Sequence, residues 1–320
     1  MTVPERYITP APLYDDPLWG GASDPAVIRS RETGEWWMFY TQRRAFGYQT
    51  GTASLHGTDI GIAVSADGRD WLYRGTAMGL SAAWGHNTYW APEVFEALGS
   101  YHMLVSFIEG IPADWSGKAR ILHYTSDNLF AWHFEDEVSL DSDRVIDPCV
   151  FQLPDGNFKM WYKDERRSSH TCAAVSADLR NWELCGEEIT DCPHEGPNVF
   201  VLGDSIYMIT DTWKGLGVYS SRDFRTWKRQ EKDILSEPGI RHLDGQIGNH
   251  ADVVTAGDRA YIFYFVHPHY RPEDRYLPRG SVTFREMHTV IQCALLEEKD
   301  GILVCDRNRD FDIRKMGDAR

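Results

Sequence analysis

Apolar residues along this chain fall in short runs rather than in helical stripes. Trp36 to Tyr40 reads Trp-Trp-Met-Phe-Tyr and Tyr261 to Phe265 reads Tyr-Ile-Phe-Tyr-Phe, each close behind a Gly or Asp turn. Aromatic and β-branched runs of this length, with no long 3.6-residue period elsewhere, predict strands throughout. The longest purely apolar run, Ala260 to Val266, has seven residues, far short of the ~20 that cross a bilayer as a helix.

The polar positions between the runs repeat. Ile62 to Trp71 (Ile-Ala-Val-Ser-Ala-Asp-Gly-Arg-Asp-Trp) returns as Ala173 to Trp182 and again as Val218 to Trp227. A looser copy runs from Leu122 to Trp132 and aligns Asp127 with the turn acid, one residue further from its Trp. The successive Trp residues 71, 132, 182 and 227 are 61, 50 and 45 positions apart. Each copy reads as a strand ending in a turn whose Asp satisfies turn amides, followed by an outer strand whose Trp covers the sheet.

Upstream of each copy lies a short polar head leading into a hairpin. The heads are Ser23-Asp24-Pro25-Ala26-Val27, Trp90-Ala91-Pro92-Glu93-Val94, Ile146-Asp147-Pro148-Cys149-Val150, Glu195-Gly196-Pro197-Asn198-Val199 and His250-Ala251-Asp252-Val253-Val254. Five heads with four clear tails, and a degenerate fifth tail over Val290 to Cys305, describe repeats of roughly 40–60 residues with about four short strands each. The prediction is an all-β, five-bladed β-propeller forming a single domain over residues 1–320, with a short N-terminal extension to about residue 20. In such a fold the innermost strands line a central channel, so equivalent head positions converge. Asp24, Asp147 and Glu195 share nearly the same phase, with Glu93 two positions later and His250 in the last head. Converging carboxylates repel unless something uses them, and acid–base chemistry wants their pKa values pushed apart.

Composition narrows the partners. The 320 residues carry a net charge of −15, with 42% apolar and 25% charged residues, so phosphate backbones and anionic lipid are repelled and neither nucleic acid nor membrane is expected. The N-terminus has no apolar signal region. The six cysteines show no paired spacing, and Cys149, Cys172 and Cys293 sit inside apolar runs. They read as buried, reduced thiols of a cytoplasmic protein.

The Asp-Pro of the first head, Ile-Asp-Pro of the third and Glu-Gly-Pro of the fourth resemble the signature of family 43 glycoside hydrolases. That group and its five-bladed relatives include arabinanases, arabinofuranosidases and β-xylosidases. The likeness covers most of the chain, with the motifs in the expected order. It implies an inverting glycoside hydrolase acting on short oligosaccharides, with Asp24 as general base, Glu195 as general acid and Asp147 tuning and orienting that acid. No cofactor is required. His250 resembles a last-blade histidine that in several members lies near a calcium or a water cluster, so a channel calcium with His250 as ligand is the metal implied.

Two segments, Gly85 to Trp90 and Gly248 to Val253, instead resemble the smaller family 117, which acts on anhydro-galactose ends of agar oligosaccharides through a histidine acid. On that likeness His250 donates the proton and Glu195 binds. No Asn-Asp-Pro-Asn-Gly or Arg-Asp-Pro motif of family 32 is present, against fructan hydrolysis. His86, Asn87, Trp90, Glu93, His250 and Trp213 are the candidate sugar contacts. Trp84, Trp90, Trp115 and Trp213 in loops either stack on sugar faces or close blades. The pairs Arg43-Arg44 and Arg166-Arg167 read as solvated charges, although a glycoside phosphorylase needs such cations. The remaining rival is a non-catalytic sugar-binding propeller, which keeps the tryptophans without needing three acids.

Overall fold

Strict alternation explains why the aromatic runs are apolar at every position. In Trp36–Gln42, Met38 and Tyr40 point to one face of the sheet and pack on the last blade, while Phe39 points to the other and packs on the second. In Arg259–Val266, Ile262 and Tyr264 face the fourth blade, and Tyr261, Phe263 and Phe265 face the first. A sheet stacked on both sides has no solvent face, so its middle strand carries no polar alternation.

A computed structural model describes residues 7–44, 52–271 and 284–318. It forms a five-bladed β-propeller of four-stranded antiparallel sheets. The first blade holds β1 (Ala22–Arg29), β2 (Trp36–Gln42), β3 (Asp59–Ser65) and β4 (Leu72–Thr76). The second holds β5 (Thr88–Ala97), β6 (Ser100–Ile108), β7 (Ala119–Ser126) and β8 (His133–Glu137). The third holds β9 (Val145–Gln152), β10 (Phe158–Asp164), β11 (His170–Ser176) and β12 (Glu183–Ile189). The fourth comprises β13 (Glu195–Leu202), β14 (Ser205–Asp211), β15 (Leu216–Ser221) and β16 (Lys228–Arg229). The last comprises β17 (Asn249–Ala256), β18 (Arg259–Val266), β19 (Val290–Lys299) and β20 (Ile302–Cys305). Each blade runs in sequence order outward from the channel, and the inner strands β1, β5, β9, β13 and β17 meet around it.

Five large apolar clusters, one between each pair of neighbouring blades, hold the ring together. Each large side chain so buried contributes about 1.5–3 kcal/mol. The repeat tryptophans belong to these clusters: Trp71, Trp132, Trp182 and Trp227 each wedge a blade against the one before it. Cys149, Cys172 and Cys293 are buried and unpaired, as their apolar surroundings predict. No helix among the described residues is long and apolar enough to cross a membrane.

Two sequence expectations are corrected. In the second-blade tail the turn acceptor is Asn128, not Asp127: its Oδ1 receives the amides of Phe130 and Ala131, as Asp67, Asp178 and Asp223 do elsewhere. The residue following each acceptor (Gly68, Leu129, Leu179, Phe224) is left-handed, so all four tails share one geometry and one length. The N-terminal residues are also no mere extension. Leu13 and Tyr14 donate to Ile291 on β19, and Gly21 bridges Thr289, which ties the first blade to the last.

Candidate active site

All five inner strands begin with the same distortion. The register of each slips within the head, between Ser23 and Ala26, Trp90 and Glu93, the corresponding residues of β9 and β13, and Asn249 and Ala251. Aligned by this bulge, the second head position holds Asp24, Ala91, Asp147, Gly196 and His250. The first four are left-handed, with φ of 49°, 45°, 57° and 58°. The following proline disfavours a right-handed helical residue before it, and Asp and Gly tolerate the left-handed region better than most. Such a bulge re-aims side chains: Asp24, Asp147, His250 and, from the first position, Glu195 and Trp90 all line one cleft of about 440 Å³.

The bulged amides need acceptors. Three come from the second strand of the preceding blade, at the position paired with the first head residue, which holds Thr41, Ser106, Lys163, Asp211 and Phe265 around the ring. Thr41 Oγ1 receives Ala91 N at 2.9 Å, Ser106 Oγ receives Asp147 N at 2.9 Å, and Asp211 Oδ2 receives His250 N at 2.9 Å. Lys163 cannot accept, and Gly196 N donates instead to Asp147 Oδ2 at 3.1 Å. Gly196 is required on two counts, its positive φ and the His250 ring, which an added Cβ would approach to 2.6 Å.

The three acids have different surroundings. Asp24 receives Ser23 Oγ at 3.0 Å and faces His250 Nδ1 at 3.5 Å. Burial alone would raise its pKa, but His250, with Arg43 and Thr41 behind it, holds it down at about 2. Burial pushes Asp147 up to about 6; the His250 charge opposes this and the Glu195 charge adds to it. Glu195 accepts from Trp213 Nε1 at 2.9 Å and from Lys163 Nζ at 3.0 Å. Asp211, which also receives Trp213 N at 2.7 Å, is raised to about 7 by burial and then by Glu195. His250 is raised to about 9: burial opposes its charge, but Asp24, Asp147 and Glu195 outweigh it.

The other candidate contacts divide. Trp90 and Trp213 line the cleft, joined by Trp115, Leu55, Ile146 and Phe265. Leu55 and Trp115 come from the long loops after β2 and β6, which wall one side of the cleft; residues 45–51 of the first lie outside the described residues. His86 and Asn87 are corrected. His86 Nε2 bonds Gly57 O, while Asn87 bonds the carbonyls of Ala83 and Gly85 and the amide of Gly110, so both pin loops and neither lines the cleft. Glu93 is also outside the cleft lining, at the fourth head position. There it accepts Val150 N from the next blade at 2.7 Å, and burial, then Asp252, lifts it to about 8.

The arginine pairs divide as well. Arg166 and Arg167 pair with Asp143 and Asp141 and do not line the cleft. Arg43, expected to be solvated, instead enters the cleft. Its Nε donates to Ser23 Oγ at 3.1 Å and its guanidinium lies 5.8 Å from the Phe265 ring centre. Its two amino nitrogens take no protein partner among the described residues, and burial lowers its pKa against the pull of Asp24 and Glu195.

The surroundings of His250 give no support to the metal implied for it: its Nδ1 faces Asp24 at 3.5 Å, and Asp24, Asp147 and Glu195 favour its charged form over the neutral imidazole that a ligand must be. Among the described residues no cluster of His, Cys, Asp or Glu has metal-holding geometry.

No family model matches this sequence, and no curated protein matches it. Solved structures do. A thermostable family-43 glycoside hydrolase is 17% identical with a TM-score of 0.67 over 92% of this chain and 96% of that one. A family-43 β-xylosidase/α-arabinofuranosidase from a compost metagenome, solved with xylotriose in a calcium-free form, is 13% identical with a TM-score of 0.63 over 90% and 96%. The family-32 β-fructofuranosidase of Bombyx mori is 14% identical with a TM-score of 0.68 over 91% of this chain, which spans 63% of that longer one. At these identities the likeness carries the fold: this chain shares the five-bladed propeller of those hydrolases.

Proposed function

We propose that the protein is a glycoside hydrolase that cleaves short oligosaccharides with inversion. The reading rests on one observation: carboxylates from three blades open onto a single cleft, where the surroundings hold Asp24 ionised and raise Asp147. Glycoside hydrolysis needs one ionised and one protonated carboxyl across the scissile bond. Asp24, ionised over the working range, takes the proton of a water that attacks the anomeric carbon. Glu195 protonates the departing oxygen, with Asp147, raised by burial and by the Glu195 charge, beside it. His250 fixes Asp24. Arg43 offers the N–H groups of its amino nitrogens to sugar oxygens, and Trp90, Trp115, Trp213 and Phe265 supply apolar faces for sugar rings. The structural neighbours that act on xylosides and arabinofuranosides support that substrate class.

His250 as the acid is the second reading, favoured by its raised pKa. Its Nδ1, however, faces the base rather than a leaving group, which supports Glu195 in the role. The test is a time-resolved proton NMR spectrum of xylo- and arabino-oligosaccharides with the protein in phosphate-free buffer. The expected first product is the free sugar of inverted anomeric configuration. A retained anomer contradicts the role given to Asp24, and turnover that appears only on adding phosphate contradicts hydrolysis.

A further inference from the structure

Four of the five second-strand positions that face the bulged heads carry Thr, Ser, Asp or Phe; the third blade carries Lys163. Its side chain is 5% exposed, and its Nζ lies 3.0 Å from Glu195 Oε2 and 3.6 Å from Glu165 Oε1. The ammonium sits 5.4 Å from the centre of the Trp213 ring, whose Nε1 holds the other oxygen of Glu195. Thr41, Ser106 and Asp211 accept the head amide of the next blade, whereas the lysine cannot, and Gly196 N turns to Asp147 Oδ2. This departure therefore arranges both acids.

We propose that Lys163 is a positioning residue for the acid: with the Trp213 indole it clamps both oxygens of Glu195, and its charge sets the pH at which the neighbouring Asp147 gives up its proton. The consequence for catalysis rests on the glycoside hydrolase reading; the clamp itself does not.

The charged groups facing Lys163 and this pair are Glu165 on the same blade, Asp211 on the fourth, His250 on the last, and Asp24 and Arg43 on the first. Glu165 is already held by Arg144, so Glu195 and Asp147 are left to Lys163. Burial disfavours the ammonium, and Glu195, Asp147 and Glu165 more than restore it. Lys163 in turn pulls the Asp147 pKa down. Removing its charge therefore lets Asp147 keep its proton to higher pH.

The experiment compares Lys163→Gln and Lys163→Arg with wild type. The Asp147 carboxyl is followed by carbon-13 NMR titration, assigned by its loss in Asp147→Asn, with no sugar present. The midpoint should rise by about one pH unit in Lys163→Gln, the low end of what a neighbouring opposite charge produces, and stay in place in Lys163→Arg. Rates on 2,4-dinitrophenyl and phenyl β-D-xylosides give the second readout. A good leaving group needs little proton donation, so Lys163→Gln should lose about tenfold more on the phenyl substrate.

An unmoved midpoint overturns the proposal, as does equal loss on both substrates. A midpoint that moves in a protein that turns over neither xyloside upholds the clamp and counts against the xylosidase reading. Should Lys163→Gln not fold, Trp213→Phe removes the other donor to Glu195 and must show the same dependence on leaving group; equal loss there also overturns the clamp.

Discussion

Asp24 and His250 hold each other's charge, and the sign of each shift sets a pH dependence. Asp24 is depressed, so its contribution to stability is present above its unfolded value near 3.8 and is lost as pH falls towards 2. Asp147, Asp211, Glu93 and His250 all bind their protons more tightly folded than unfolded, with folded values near 6, 7, 8 and 9. For each, the contribution is full below the unfolded pKa and disappears as pH rises through the folded one. His123 and His267, depressed by burial to about 4 and about 3, oppose this trend below pH 6.5. Above it they are neutral folded and unfolded, so the thermal midpoint should fall from pH 7 to pH 9 in scanning calorimetry, and Glu93→Gln should flatten the part between 7 and 8. A midpoint that climbs from pH 7 to 9 would mean that Glu93 and His250 do not hold their protons. Asp24, Asp147 and Glu195 were legible in the sequence because each sits in register with a repeated motif. Arg43 was not: a basic pair after a strand reads as a solvated loop, and only the bend of the chain beyond β2 turns one of the two inward.

The elements owe their shape to the bulged heads and the side chains that latch them. Heads and tails could be read from the sequence because residue identity recurs with position: Pro in four heads, Val at the fifth place of each aligned head, Ser and Trp in four tails. The latches could not. They share a place opposite the head but no chemistry, since Thr, Ser, Lys, Asp and Phe fill it. The second-blade tail was misaligned for a related reason: Asp127 and Asn128 are adjacent turn formers, and only the amides they receive distinguish them. Ser106 tests the latch. Ser106→Ala leaves the buried Asp147 amide without its acceptor, which should cost about 1–3 kcal/mol in urea unfolding and lower turnover by freeing Asp147. An unchanged urea midpoint would show that the amide is satisfied some other way.

At the scale of the molecule, chemistry depends on ring closure. Each apolar cluster spans two blades, and the last cluster joins the final blade to Leu13, Tyr14 and β2. Tyr14 and Tyr40 share a hydroxyl contact of 3.0 Å, and Tyr40 donates to Asp16 at 2.7 Å, so the first strands are stitched to the last. Across the channel side of the same seam, Asp252 receives Val27 N at 2.7 Å. The repeat made this closure legible, but the N-terminal residues lie outside the repeat and carry no motif, so their part in it was not. Closure is what sets Asp24, from the first blade, in one cleft with Glu195 from the fourth, and the account depends on their acting on the same bond. The most direct measurement is turnover of a xylo- or arabino-oligosaccharide by wild type, Asp24→Asn and Glu195→Gln in parallel, with folding checked by circular dichroism. Each variant should stay folded and lose roughly 100-fold or more in rate; folded variants that keep the wild-type rate would contradict the account.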